Sequence, residues 1–215
     1  MAVRFLDDAA RAAFQEAIEA IEQGSAAEVV VALRRQSAGY LMANVVVGAL
    51  AAFAGLAYTL FSEHRFSLPS ILIDPFAVGL LAGGLVELVA PLKRVLAPRR
   101  MRRAAVERGA KAAFFDRGVA NTRGRTGVLV YLSWLEGEAC VLADAGVPAS
   151  FRDEGRAALE RKLTAEMARG GAAVAQALRT VAEELATALP RREDDINELP
   201  DAIDADLGRA PRGGA

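Results

Sequence analysis

The sequence predicts an α/β domain, with a small mixed β-sheet flanked by helices, that is interrupted after its first strand by a two-helix transmembrane hairpin. Three observations predict this fold class. A helical pattern and a short apolar strand occupy residues 1–35, two long apolar segments occupy residues 36–92, and helices and strands resume across residues 93–190. One helix and one strand cannot enclose a core, so the returning segment must complete the domain.

The first elements of the domain are a helix and a strand. Residues 5–23 place apolar side chains at spacings of three and four, with Asp7 as the predicted N-cap and Gly24 as the terminator. Residues 28–33 (EVVVAL) form a short apolar run, which is typical of a strand covered on both faces. We therefore expect this strand inside the sheet rather than at its edge.

Two membrane spans are predicted, at residues 38–61 and 70–92. The first lies in a stretch without charged residues that exceeds the about 20 residues needed to cross a bilayer. The second carries Asp74 and Glu87, and we expect Asp74 to cap its helix with Pro75 at the first helical position. The link between the two spans is short, so they should form an antiparallel hairpin in the lipid bilayer.

The charges that flank the hairpin predict its orientation. Basic residues on both sides outnumber those of the return loop, and they are Arg34, Arg35, Lys93, Arg94, Arg99, Arg100, Arg102 and Arg103. By the positive-inside rule we expect a multi-pass protein of the inner membrane with both termini cytoplasmic. Lipid head groups account for this basic cluster, and the net charge is only −1, so nucleic acid is not an expected partner.

Small and polar residues of the hairpin indicate how its helices pack. Gly79 and Gly83 form a GxxxG pair in the second span, which explains close packing of the two spans as well as homo-oligomerisation. Glu87 would lie in the inner half of the bilayer, where a carboxylate is costly. It should face Asn44 or Tyr40, face a partner protein, or extend toward Lys93 and Arg94.

The returning segment supplies the remaining elements, and the tail follows them. Helices are predicted over residues 99–117, 150–169 and 172–188, and strands over residues 128–134 and 139–143, which a hairpin joins. Residues 191–215 are acidic and then rich in Pro and Gly, so we expect most of this tail to be disordered.

From residue 112 onward the sequence resembles the TPM domain family, named for thylakoid-lumen, photosystem-repair and acetylcholine-receptor-modulator proteins. The matching pattern is a Thr-x-x-Arg-Thr-Gly loop, a Glu near a hairpin tip, an Ala-Asp-x-Gly-Val strand end and a late Asn-Glu-Leu-Pro. Its residues are Thr122, Arg125, Thr126, Gly127, Glu136, Ala143, Asp144, Gly146, Val147 and the stretch 197–200. The chain departs from many relatives in having Gly137 after the tip glutamate.

The resemblance implies a mixed-sheet sandwich that in some members binds calcium or another divalent cation. It also implies phosphatase activity, proposed for a few plant members, or the assembly and repair of membrane complexes for others. Asp144 would be the metal ligand, and Asp153 and Glu154 are the nearby carboxylates best placed to join it. The alternative is that Asp144 caps the turn that it enters.

The basic loop is a second candidate site. Thr122, Arg123, Arg125 and Thr126 could bind an anion through backbone N–H groups and two guanidiniums. The loop precedes a strand rather than a helix, so a structural loop or a partner-binding surface that includes Glu136 is favoured.

Conventional catalytic groups are sparse in this sequence. The single histidine, His64, falls in the return loop, and the single cysteine, Cys140, falls in an apolar strand and is expected to be a buried core residue. The first functional hypothesis is therefore a non-enzymatic, membrane-anchored TPM-like module that binds another membrane protein in the assembly or quality control of a complex. The alternative is a divalent-metal-dependent phosphatase that uses Asp144.

Overall fold

The computed structural model describes residues 5–89, 94–95, 97–191, 197–199 and 203–207, apart from the side chain of Glu87. The chain divides into an α/β unit, Met1–Ser37 with Arg103–Ala215, and a hairpin unit, Ala38–Arg102. The predicted fold class, a mixed α/β fold with two long apolar helices inserted in it, is confirmed.

The elements are numbered here in chain order. They are α1 (Asp8–Gly24), β1 (Glu28–Arg34), α2 (Leu41–Phe61), α3 (Leu68–Leu88), α4 (Arg99–Asp116), β2 (Gly127–Ser133), β3 (Glu138–Ala143), a π-helical turn (Phe151–Gly155), α5 (Arg156–Glu166), α6 (Gly171–Arg179), α7 (Ala182–Ala188) and β4 (Asp204–Asp206).

The sheet has the strand order β3-β2-β1-β4. β1 runs parallel to β2 and to β4, whereas β2 and β3 form the predicted antiparallel hairpin. The prediction that the apolar run of β1 lies inside the sheet is confirmed, because β1 has a strand on each side. Parallel strands of this kind are normally covered on both faces, which explains their continuous apolar sequence.

Alternate residues of the strands pack into two separate cores. One face, which carries Val31 of β1 and Val130 of β2, packs against α1 and α5–α7. The other face, which carries Ala32 and Tyr131, packs against the apolar stripe of α4. Because side chains alternate between the two faces of a strand, α4 covers one face of the sheet, and α1, α5, α6 and α7 cover the other.

Two helix ends have the capping residues that are usual at such positions. Asp7 is the N-cap of α1, and its side chain accepts a hydrogen bond of 2.8 Å from the backbone N–H of Ala10. Gly118 follows α4 with a φ of 67°, the left-handed conformation that ends many helices. Asp7 thus has the role that the sequence predicts.

The two hairpin helices are long and apolar enough to cross a membrane by length and composition. No residue in the apolar window of α2 is buried, so this helix does not have the environment of a soluble core helix. α3 begins earlier than predicted, at Leu68, because Ser67 caps it and accepts a hydrogen bond from Ser70. Asp74 is therefore not its cap, and Pro75 lies inside the helix.

Glycines let the hairpin helices approach each other closely. A Cβ atom on Gly79 would lie 2.7 Å from the carbonyl oxygen of Gly48, and one on Gly83 would lie 2.9 Å from the carbonyl oxygen of Asn44. The GxxxG pair thus packs within the hairpin, which is one of its two predicted roles. The predicted environment of the Glu87 side chain, and with it the role of Asn44 as its partner, lies outside the described residues.

The C-terminal part contains one helix break and one strand that the sequence analysis does not predict. The single helix predicted over residues 172–188 is two helices, α6 and α7, which separate at Thr180 and Val181. Residues 203–207, predicted to belong to a mostly disordered tail, form β4 and its flanks at the outer edge of β1. Ile203, Ala205 and Leu207 alternate with two aspartates and pack on the larger core, which is the pattern of a half-buried strand.

The segment 197–199 also lies against the domain. The backbone N–H groups of Glu198 and Leu199 each donate a hydrogen bond of 3.2 Å to the carboxylate of Glu28. The carboxylate of Glu198 accepts from the backbone N–H of Arg123 at 3.2 Å. This part of the Asn-Glu-Leu-Pro stretch therefore docks on the domain, whereas Pro200 lies outside the described residues.

Substituting valine for Gly79 should destabilise the hairpin, because the new side chain overlaps the backbone of the facing helix. We expect a loss of about 1–3 kcal/mol, the usual cost of overpacking, measured as a lower thermal unfolding temperature in detergent. The control is Gly84→Val, since none of the described atoms beyond its own helix lies within 4 Å of a Cβ there. Equal unfolding temperatures for the two variants would contradict this packing.

Candidate functional site

The candidate functional site is a cavity of about 390 Å³ in the α/β unit, lined by residues of β1, β2 and α4. It lies toward the carboxyl ends of the two parallel strands, the usual place for ligand sites in α/β sheets. Its polar lining comes from Arg34, Tyr131, Asp116 and Arg117, and Gly109 contributes to its wall.

Strand register builds this site. In the parallel pair, Ala32 lies opposite Tyr131 and Arg34 lies opposite Ser133. Ala32 and Tyr131 belong to the core on the α4 side of the sheet, so the period of two places Arg34 and Ser133 on that same side. The apolar pattern of the strands thus ends in an arginine, a tyrosine and a serine that face α4.

Two arginines of the site share one carboxylate. The Oδ2 atom of Asp204 in β4 lies 2.5 Å from Nη2 of Arg34 and 2.6 Å from Nη2 of Arg117. Arg34 also donates through Nη1 to the backbone carbonyl of Asp204 at 2.8 Å. These are charge-assisted hydrogen bonds in a partly buried place, and the one carboxylate is shared by the two cations.

Behind the arginines lies a chain of hydroxyl groups that ends on a buried carboxylate. Ser37 Oγ donates to Ser133 Oγ at 2.7 Å, and Ser133 Oγ donates to Glu136 at 2.5 Å. The phenol of Tyr131 lies 3.0 Å from Ser37 Oγ, whose own proton is used, so the phenol is the donor. Glu136 also accepts from the backbone N–H of Ser37 at 3.0 Å and is only 1% exposed.

Gly109 of α4 leaves room for the phenol of Tyr131. A Cβ atom at position 109 would lie 2.5 Å from the Tyr131 hydroxyl oxygen. Burial raises the pKa of the Tyr131 phenol above its ordinary value. The phenol therefore stays neutral at physiological pH and acts as a hydrogen-bond donor.

This arrangement is suited to binding an anion rather than to acid–base or nucleophilic chemistry. The two guanidiniums, of Arg34 and Arg117, recognise a carboxylate or a similar oxyanion. The hydroxyl of Ser133 is fully buried, and the base that it contacts is Glu136 rather than a histidine. Burial raises the pKa of the Cys140 thiol to about 12, so this buried cysteine is not a nucleophile at neutral pH.

The predicted metal ligand Asp144 belongs to a different structure. Its Oδ2 and Oδ1 atoms accept hydrogen bonds of 2.6 and 2.7 Å from Nε and Nη2 of Arg125. Oδ1 also accepts from the backbone N–H of Ala145 at 2.7 Å. This bidentate pair, which we call the Arg125–Asp144 clasp, joins the basic loop to the end of β3, and the guanidinium holds the pKa of Asp144 below its usual range.

The predicted metal set is not brought together. Asp153 and Glu154 are exposed in the π-helical turn, whereas Asp144 is buried and paired with Arg125. Throughout the described ranges, no three Asp, Glu, His or Cys side chains are grouped so that they could hold a metal ion. In this structure Asp144, Asp153 and Glu154 therefore do not form a shared site.

The basic loop is closed by hydrogen bonds of its own residues. Thr122 Oγ1 accepts a hydrogen bond of 3.0 Å from the backbone N–H of Thr126, which closes the loop. Arg125 has a φ of 54°, and its carbonyl accepts from the backbone N–H of Gly146 at 2.8 Å. Glu136 lies in the hydroxyl chain instead, so the structure does not place it on a shared surface with this loop.

Sequence reasoning missed Arg34, Arg117, Tyr131 and Ser37 as site residues. Arg34 was assigned to the charge pattern beside the membrane, and Tyr131 to the apolar strand. The signal that could have found Arg34 is its position at the carboxyl end of a buried parallel strand, where ligand-binding groups collect. The signal for Asp204 is the alternation Ile-Asp-Ala-Asp-Leu in the tail.

Comparisons with known proteins describe the fold and leave the function open. No family model and no curated protein matches the chain. A solved structure that it is similar to is the NMR structure of the BA42 protein from the psychrophilic bacterium Bizionia argentinensis sp. nov.. That match has a TM-score of 0.54 at 16% sequence identity and covers 93% of this chain and 94% of that chain, so it supports a shared fold alone.

Replacing Glu136 by alanine should destabilise the α/β unit by about 1–3 kcal/mol, because the buried donors of Ser133 and Ser37 lose their acceptor. The measurement is the midpoint of urea unfolding in detergent. Glu154→Ala, which removes an exposed carboxylate, is the matched control and should leave the midpoint unchanged. A similar shift of the urea midpoint in both variants would show that Glu136 is not the acceptor at the end of the hydroxyl chain.

Replacing Asp144 by asparagine should remove a pH-dependent part of the stability. The pKa of Asp144 is lowered in the folded state, chiefly by its hydrogen bonds from Arg125, so its contribution is complete above the unfolded-state pKa of about 3.9. The contribution is lost as the pH falls through the lower folded-state value. Urea midpoints of the two proteins should therefore differ at about pH 6 and converge at strongly acidic pH.

A difference between the midpoints that stays constant as the pH falls would contradict the Arg125–Asp144 clasp.

Proposed function

We propose that this chain is a membrane-anchored, non-enzymatic binding module whose α/β unit binds another membrane protein in the assembly or quality control of a membrane complex. The observation that supports this proposal best is the pair Arg34 and Arg117, which holds a carboxylate at the edge of the cavity, here that of Asp204. In the part of the chain that the structure describes, this site pairs no serine or cysteine with a histidine.

The hairpin supports the anchoring part of the proposal. Its two helices are apolar and largely exposed, so they require an apolar environment that a bilayer provides. The basic residues on both flanks favour an inner-membrane protein with both termini in the cytoplasm. The α/β unit would then meet its partner at the cytoplasmic side.

We also propose a distant relationship to TPM domains. The two motifs that carry the resemblance, the Thr-x-x-Arg-Thr-Gly loop and the Ala-Asp-x-Gly-Val strand end, contact each other through Arg125 and Asp144. Gly146 supports the same contact, because a Cβ atom there would collide with the backbone of Gly124 and Arg125. A shared structural role is a sufficient physical reason for these residues to occur together in one chain.

The alternative, a divalent-metal-dependent phosphatase, would need Asp144 to release Arg125 before it could bind a cation. That step breaks a bidentate, charge-assisted pair, and in the described parts of the molecule no other two carboxylates stand ready to share the ion.

Site-directed photo-cross-linking in native membranes tests the proposed function. A photo-reactive residue replaces Ala112, an exposed alanine that lines the cavity, and in a matched protein it replaces Ala172, an exposed alanine of α6. We expect a discrete adduct with another membrane protein from position 112 and none from position 172.

The proposal fails if neither position gives an adduct, or if both give the same adducts. Turnover of a phosphomonoester by the purified protein, with added calcium or magnesium and lost in Asp144→Asn, would instead support the phosphatase.

A further inference from the structure

We propose that the outer edge of β1, together with Arg34 and Arg117, is a binding site for an extended acidic segment of a partner protein. β4 of the chain's own tail occupies this site when the partner is absent. The inference rests on the proposed binding function and names the surface and the chemistry of the partner. We call this surface the β1 edge site.

The backbone contacts of β4 show how a segment binds here. Three residues of β4 pair in parallel with β1, with Asp204 opposite Ala32 and Asp206 opposite Arg34. The backbone N–H of Arg35 donates a hydrogen bond of 2.9 Å to the carbonyl of Asp206. An extended peptide of another chain could form the same ladder, which is the common mode of strand addition to a sheet edge.

Side-chain contacts of β4 show what sequence the β1 edge site selects. Ile203, Ala205 and Leu207 pack on the larger core, whereas Asp204 meets Arg34 and Arg117 on the other face of the sheet. A matching segment therefore alternates apolar and acidic residues, with a carboxylate at the position opposite Ala32. Backbone pairing supplies affinity, and the carboxylate between two guanidiniums supplies specificity.

β4 is a replaceable part of the sheet rather than a member of its core. Among the described residues, every fully buried apolar side chain of the two cores precedes residue 186, and the tail residues are only partly buried. Arg117 is 47% exposed on its side chain, and Asp204 is 19% exposed. A three-residue edge strand with these contacts can open at low cost while β1, β2 and β3 stay folded.

The covalent tether makes β4 an internal competitor. A tail segment joined to the domain by a short linker has an effective concentration in the millimolar range, so a free segment must bind more tightly or be held nearby to displace it. A partner anchored in the same membrane is held nearby. The β1 edge site would thus discriminate against soluble acidic peptides and favour membrane-anchored partners.

A peptide-binding measurement on the full-length protein in detergent tests the proposal. The probe is a fluorescent peptide with the tail's own sequence NELPDAIDADL, and the tail is displaced by Asp204→Lys, which places a cation between two arginines. We expect the Asp204→Lys protein to bind the peptide at least about tenfold more tightly than the unaltered protein does, because the internal competitor is lost.

Receptor variants separate specific binding from general charge attraction. Adding Arg34→Gln or Arg117→Gln to the Asp204→Lys protein should weaken peptide binding by about 10- to 100-fold, the effect of losing a charge-assisted hydrogen bond. Arg35→Gln is the matched control, because the exposed Arg35 side chain makes no hydrogen bond or ion pair with the described residues. It should leave the affinity within about twofold.

Four results would overturn the proposal. The first is that an Asp204→Lys protein with the circular dichroism of the unaltered protein binds no peptide, and the second is that these two proteins bind it equally. The third is that Arg35→Gln and Arg34→Gln weaken binding equally. The fourth is that the unaltered protein is a dimer that Asp204→Lys dissociates. The last result would make the occupant a second copy of the chain.

The outcomes also separate this inference from the proposed function. Cross-linking from position 112 without peptide binding would overturn the β1 edge site and leave the binding-module function standing. Peptide binding without cross-linking would support the β1 edge site and count against the proposed function.

Discussion

The parallel pairing of β1 with β2 is the constraint on which the rest of the α/β unit depends. One strand precedes the inserted hairpin and the other follows it, and they pair over the full lengths Glu28–Arg34 and Gly127–Ser133. A parallel pair requires a crossover, so the chain must travel back along the sheet before β2 can begin. α4 makes this return and covers one face, while α1 and α5–α7 cover the other. The insertion is tolerated because it lengthens a crossover that the fold already needs.

This constraint also explains where the candidate site lies. The chain leaves the α/β unit after Ser37, and the hydrogen bonds of Ser37 to Ser133 and Glu136 hold that exit at the carboxyl ends of β1 and β2. Carboxyl ends of parallel strands leave a crevice in which polar groups converge. The alternation of side chains along the strands places Arg34 and Tyr131 in this crevice, and Arg117 reaches it from the residue that follows α4. The point where the chain leaves the α/β unit and the arginines that bind the carboxylate therefore lie at the same edge of the sheet, as the topology requires.

Elements set by short-range patterns could be predicted from the sequence, whereas contacts set by distant parts of the chain could not. The strands, α1 with its Asp7 cap and the Gly118 stop follow from periodicity and capping chemistry over a few residues. The pairing of Arg34 with Asp204 joins residues 170 apart and depends on the register of a short tail strand. Composition was misleading there, because the aspartates that mark a disordered tail are also the polar half of an alternating strand.

Two residues that carry the proposed resemblance to TPM domains lie apart from the candidate site, although Glu136 belongs to both. These two residues form the Arg125–Asp144 clasp, where each polar atom of the carboxylate already has a partner within the domain. A fully satisfied pair stabilises a loop, but it offers little to a ligand. Arg34 and Arg117 instead share one carboxylate from a three-residue strand. Contacts that can be replaced in this way allow one member of a common fold to bind a partner that other members do not.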